Sequence, residues 1–132
     1  MLKEYLDCIH QLYNKEIDFK HQVQSILSIE LQTNLYRIIC ELVLNAAKHS
    51  KASLITVEIK ANRDLVVVNI ADNGQGFIQG SNDQKKSLGL QSAESRVLYL
   101  KGKFCLHSAK EKGTTINIEI PLQFDEAHIN SF

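Results

Sequence analysis

The stretch YRIICELVLNAAKHS, residues 36–50, decides the fold. Its polar residues Glu41, Asn45, Lys48 and His49 stand at i, i+4, i+7 and i+8, so a helix carries them along one stripe. Leu35, Ile38, Leu42 and Ala46 form an adjacent apolar stripe that a core can cover. A carboxylate, a carboxamide, a cation and an imidazole on one seam suit a helix that meets a metal-bound polyphosphate.

The flanks predict the rest of the architecture. Leu2, Tyr5, Leu6, Ile9, Leu12 and Tyr13 repeat with the helical period, which predicts an amphipathic helix over residues 2–14. Residues 17–23 alternate with period two and read as a strand at a sheet edge. The second helix is expected over 30–50, followed by strands at 54–60 and 64–71 joined by the short connection 61–63. Residues 72–88 form one long irregular stretch, and a loop of that length inside a compact domain points to function. Helical spacing resumes over 90–101 through Leu90, Ala93, Val97 and Leu100, with Gly102 suited to the position just past the end. A last hairpin pairs 103–109 with 114–121, where Pro121 stops the ladder.

The hairpins demand antiparallel neighbours, while helices and strands otherwise alternate. The economical solution is an α+β fold, a two-layer α/β sandwich in which three helices cover one face of a mixed, mostly antiparallel sheet. One domain is expected over 1–122, followed by a patternless C-terminal tail at 123–132.

Composition bounds the partners. The formal net charge of the 132 residues is zero, which argues against a long nucleic-acid duplex while leaving local cations able to grip phosphate. Cys8, Cys40 and Cys105 are widely spaced with no C-x-x-C, so a reduced, cytoplasmic setting is expected, with Cys40 and Cys105 as small core residues. No apolar run approaches about 20 residues and no leader-like segment precedes the fold, so a soluble chain is expected.

Each motif has a chemical reading and a plainer one. Asp72 ends an apolar strand, where its carboxylate can accept from an exocyclic amine such as that of adenine; D-N-G is also an ordinary turn. A buried acceptor left without its donor costs about 1–3 kcal/mol, so such a contact discriminates as well as binds. Gly74 and Gly76 let the backbone turn and approach a ligand. Asn45 offers a neutral oxygen to Mg2+, and Glu41 can orient a metal-bound water or act as a base; on an ordinary helix both would be surface residues. Lys48 can neutralise phosphate or simply be solvated, and His49 can lie against a ligand or cap the helix. Gly89 and Leu90 open the third helix, whose N–H groups favour an anion. Lys85 and Lys86 read as solvated loop residues. Thr114, after Gly113, faces inward and can bridge through water to Asp72, although threonine also favours strands generally. Neither a P-loop nor a G-x-G-x-x-G after a strand is present.

Taken in order, these motifs resemble the catalytic ATP-binding (HATPase_c) domain of bacterial two-component sensor histidine kinases, within the GHKL superfamily. E-L-V-L-N-A-A-K-H-S is similar to the N box, D-N-G-Q-G-F to the G1 box, S-L-G-L to the G2 box and G-T-T to the last glycine box. The ending SRVLYLKGKFCLHSAKEKGTTINIEIPL resembles the LytS-like and nitrate-sensor-like kinases. The resemblance covers residues 1–122 and implies ATP and Mg2+ as ligands. It implies that Asn45 binds Mg2+ with Glu41 polarising the metal's water, that Lys48 contacts phosphate, and that His49 packs near adenine or ribose. Asp72 would hold the adenine amine above Gly74 and Gly76, with Thr114 joining through water. Residues 77–88 would be an ATP lid hinged at Gly89.

Two departures accompany the likeness. Ser87 stands where the G2 box carries its first glycine, and no helix offers a histidine followed by an acidic residue as phosphoacceptor. The expected function is therefore a domain that donates the γ-phosphoryl group to a histidine on a separate dimerisation domain of its own kinase. A response regulator would be an indirect partner. Contact with nucleic acid or membrane is not expected, and the isolated domain would be monomeric, cytoplasmic on its own or as the cytoplasmic part of a membrane-anchored kinase. The alternatives are a stand-alone anti-sigma-type serine kinase, against which the R-V-x-x-L-x-G of residues 96–102 stands, and a degenerate non-catalytic scaffold suggested by Ser87.

Overall fold

The computed structural model describes residues 1–76 and 88–122. Its elements are α1 (Leu2–Tyr13), β1 (Glu16–Val23), α2 (Ile29–His49), β2 (Leu54–Ala61), β3 (Leu65–Asp72), α3 (Leu88–Tyr99), β4 (Lys103–Ala109) and β5 (Gly113–Pro121). The sheet order is β1-β2-β3-β5-β4. β1 runs parallel to β2, from Glu16 opposite Leu54 to Val23 opposite Ala61, and the other neighbours are antiparallel. The parallel pair follows from connectivity, because α2 carries the chain back between the two strands. The mixed sheet with three helices is the expected two-layer α+β sandwich.

α2 is fixed at both ends. Ser28 caps its start, the hydroxyl accepting from the Leu31 N–H at 3.1 Å. At its end the Ser50 hydroxyl donates to the Ala46 carbonyl at 2.6 Å and accepts from the Ala52 N–H at 3.1 Å. Between the caps, Ile38, Ile39, Leu42 and Val43 are buried in one core with Val57 of β2, Val66 and Val68 of β3 and Ile118 of β5. Alternate strand residues turn to the other face, where Asn69 donates its side-chain N–H to the side chain of Asn117 directly opposite. Burying the aliphatic face supplies the main drive for folding.

Four expectations need correction. Helix α3 begins at Leu88, two residues before the start expected from the apolar spacing, so Gly89 lies in its first turn, where a residue that opens the helix should stand. At its far end the left-handed residue is Lys101 (φ 61), not Gly102. The Lys101 and Gly102 N–H groups bond the Leu98 and Val97 carbonyls at 2.9 Å each, so Gly102 follows the reversal. Glycine is needed there for room, since a Cβ would stand 2.6 Å from the Glu119 carbonyl oxygen. Cys105 is exposed, because strand alternation turns Phe104 and Leu106 inward and Cys105 out. Leu12, placed on the apolar stripe by its period, is 77 % exposed, because α1 ends one residue later and its buried contacts come from Leu6 and Ile9.

Cys40 is half-buried, and burial pushes its thiol above the usual range although Tyr36 hydrogen-bonds it. Among the described residues no helix is long and apolar enough to cross a membrane.

Candidate functional site

The polar seam of α2 divides along its length. Glu41 and Asn45 are half-buried and face α3, whereas Lys48 and His49 are exposed at the last turn. Glu41 Oε1 accepts a hydrogen bond from the Ser92 hydroxyl at 3.1 Å. Its other oxygen, Oε2, is buried with no hydrogen-bond partner among the described residues. Gly89 backs onto the same place: a Cβ there would lie 3.7 Å from Asn45 Oδ1 and 3.8 Å from the Glu41 carbonyl oxygen. A carboxylate oxygen with open lone pairs and a carboxamide one turn away are hard oxygen donors of the kind Mg2+ takes, directly or through water. Among the described residues no three His, Cys, Asp or Glu side chains gather into a metal cage. Glu41 and Asn45 are two oxygen donors, a set that fits a cation only if its other ligands come from phosphate and water.

A second group forms at the mouth of the sheet. Asp72 ends β3 opposite Thr114. Its Oδ1 accepts from the Gly74 N–H at 2.9 Å, and the Thr114 backbone also donates to the carboxylate. Burial pushes the Asp72 carboxyl above the usual carboxylate range, and those two N–H groups oppose the rise without cancelling it. The Thr114 hydroxyl lies 2.8 Å from that of Ser108 on β4, which ties it to the neighbouring strand. No sequence motif marks Ser108; strand pairing brings it opposite Thr114. Gly113 takes φ 84, and a Cβ on it would overlap the Asp72 carbonyl oxygen.

The segment after Asp72 joins the two groups. The Asn73 side chain accepts from the Ser53 and Leu54 N–H groups at 2.9 and 3.0 Å, binding it to the start of β2. The Gln75 N–H donates to the Ser50 carbonyl at 2.6 Å, and its side chain donates to the His49 carbonyl at 3.1 Å. Gly76 has φ 63 and lies against the Ala109 and Gly113 carbonyls, so position 76 favours glycine for both conformation and space. Asn73 and Gln75 thus fasten this loop to the end of α2 and the start of β2, a role a D-N-G-Q-G motif does not announce.

The structure brings Glu41, Asn45 and Gly89 together in one group and Asp72, Gly74, Gly76 and Thr114 in the other. Leu90 sends its side chain into the core, so any contact with a ligand would come from its backbone. The expected lid at 77–88, with Lys85, Lys86 and Ser87, lies outside the described residues except for the backbone of Leu88. A separate groove of about 400 Å3 lies between α1 and β1, lined by Lys3, Asp7, His10 and Asp18 among others, and contains none of the predicted site residues.

Residues 30–124 match the family described as histidine kinase-, DNA gyrase B-, and HSP90-like ATPase. The chain is 34% identical over 126 residues to the signal transduction histidine-protein kinase/phosphatase DegS of Brevibacillus brevis, covering 95% of this chain and 32% of that relative. It is 38% identical over 98 residues to DegS of Bacillus subtilis (strain 168), covering 73% and 26%. The sensor histidine kinase ComP of the same strain is 36% identical over 97 residues, covering 73% and 13%. The chain thus spans about a third or less of the length of these relatives. Among solved structures, the histidine kinase domain of the Erythrobacter litoralis EL346 blue-light activated histidine kinase shares the fold. Its TM-score is 0.76 at 18% identity, over 96% of this chain and 61% of that one.

Proposed function

Because the chain belongs to the histidine kinase-, DNA gyrase B- and HSP90-like ATPase family, we propose that it is the Mg·ATP-binding catalytic domain of a two-component sensor histidine kinase. It donates the γ-phosphoryl group to a histidine on a separate dimerisation domain of that kinase. The observation that carries this reading is the pairing of the half-satisfied Glu41 carboxylate with Asn45 one turn away. Asp72, held by two backbone N–H groups, supplies the adenine acceptor.

When bound, Mg2+ neutralises phosphate charge and orients the transferred group. The chain's own residues supply position. Asn45 would offer its carboxamide oxygen to the cation, Glu41 Oε2 would accept from water there, and exposed Lys48 would meet the phosphates. Asp72 accepts from the adenine amine, and His49 packs beside the sugar or base. Gly74 and Gly76 shape the floor, Thr114 contributes through water, and the backbone of Gly89 and Leu90 borders the phosphates. The domain spans 1–122 with 123–132 as a tail, acts in the cytoplasm, and reaches a response regulator only through the phosphorylated histidine.

Calorimetric titration with Mg·ATP, followed by phosphotransfer from labelled ATP to the dimerisation domain, tests the reading. Binding and an acid-labile, alkali-stable phosphohistidine are expected. Failure to bind Mg·ATP would remove the assignment, and label appearing on a serine of a partner protein would replace it with the serine-kinase alternative.

A further inference from the structure

We infer that Ser92 is a positioning residue for Glu41, holding the carboxylate from α3 so that only its second oxygen faces the reaction; the inference rests on the nucleotide-site reading above. Beside Ser92, the side of α3 that meets the core carries buried Leu90, Ala93 and Val97, with half-buried Arg96 one turn on. A serine between them has no packing advantage over alanine, and a half-buried hydroxyl needs a partner. Its partner is Glu41 Oε1, at 3.1 Å.

A hydroxyl donating to one carboxylate oxygen restricts rotation about the terminal torsion, which is otherwise broad. Oε2 is then fixed as the free acceptor, buried and without a protein partner among the described residues. Arg96, one turn beyond Ser92 on α3, is half-buried with its Nε also lacking a partner among the described residues. The Ser92 hydroxyl is thus the observed hydrogen bond from α3 to this carboxylate. Because Gly89 on the same helix backs onto Asn45, α3 sets both members of the α2 pair together.

The test compares wild type, Ser92→Ala, Ser92→Thr, Glu41→Gln and the Ser92→Ala/Glu41→Gln double variant, each measured for Mg·ATP affinity by calorimetry and for turnover in phosphotransfer. Ser92→Ala should keep Kd within about twofold while lowering turnover roughly tenfold, the scale of one hydrogen bond to a charged group. Ser92→Thr, which keeps the hydroxyl, should recover most of the rate, and Ser92→Ala should add nothing to Glu41→Gln. Full turnover in Ser92→Ala, a parallel loss of affinity and rate, or losses that multiply with Glu41→Gln would each overturn the inference while leaving the nucleotide site intact. A wild-type chain that does not bind Mg·ATP would strike the functional reading itself.

Discussion

Gly74 packs so closely against Ser50 that a β-carbon at position 74 would stand 2.7 Å from the Ser50 Cβ and overlap the Ser50 carbonyl oxygen. The contact joins the loop after β3 to the end of α2, so it sets the spacing between the carboxylate at the sheet mouth and the polar seam of the helix. Gly74→Ala must push backbone against backbone. A loss of about 1–3 kcal/mol of stability is expected, the usual range for overpacking, together with weaker nucleotide binding. A denaturation midpoint that does not move, at unchanged slope, would mean the loop yields at little cost.

Asp72→Asn separates binding from stability. Losing the charged acceptor should weaken adenine nucleotides by about 5- to 150-fold, from the 1–3 kcal/mol scale of a buried hydrogen bond. Stability should hold or rise, because burial works against the ionised carboxyl while Asn keeps an oxygen for the Gly74 and Thr114 N–H groups. Unchanged ATP affinity by calorimetry would take Asp72 out of the adenine contact.

The raised carboxyl of Asp72 also fixes the sign of a pH effect. Folding favours its protonated form, so its contribution to stability is fully present below the unfolded pKa and is lost as pH rises through the folded value. Nucleotide binding runs the other way, since the amine needs the ionised acceptor. ATP affinity should fall as pH drops through a value above the usual carboxylate range, and Asp72→Asn should lack that step. Parallel pH profiles for the two proteins would contradict this.

Asn45→Ala should raise the Mg2+ concentration needed for tight ATP binding several-fold while leaving adenosine affinity unchanged. Asn45→Asp places a second carboxylate one turn from Glu41 and should alter metal response more than adenine recognition. Titrations of ATP and of adenosine, each with and without Mg2+, separate the two effects. An equal metal response in wild type and both variants would exclude Asn45 from the cation.

Lys101 sits in the left-handed region at φ 61, directly before Gly102. Lys101→Gly should remove that strain and raise stability by up to about 1 kcal/mol, with the added freedom of the unfolded chain taking back part of the gain. Thermal and chemical denaturation would read it, and a clear loss of stability would show that the lysine stem packs against its surroundings.

The residues that reveal the fold are those whose neighbours are local. The period of α2 is written in Leu35, Ile38, Leu42 and Ala46, and all four are buried. The β2–β3 hairpin is equally readable, although Asn62, whose side chain accepts from the Asp64 and Leu65 N–H groups, does the turning. What escaped the sequence depends on distant partners. Cys105 has apolar neighbours in the chain, yet its exposure follows from which face of β4 meets the helices. The parallel pairing of β1 is decided by a crossover, not by its own alternation. The site divides in the same way: Glu41, Asn45 and Asp72 stand in recognisable motifs, while Ser92 and Ser108 lie outside them and acquire meaning only when α3 meets α2 and β4 meets β5.

Strand β1 meets its partner only after the chain has travelled the whole of α2, and it lies at the margin of the sheet. One flank of its peptide groups therefore answers to water, and the entropy of closing that long span rests on a single ladder. Deuterium should enter β1 early and β3, clasped between β2 and β5, late, so the sheet opens from its N-terminal border inward.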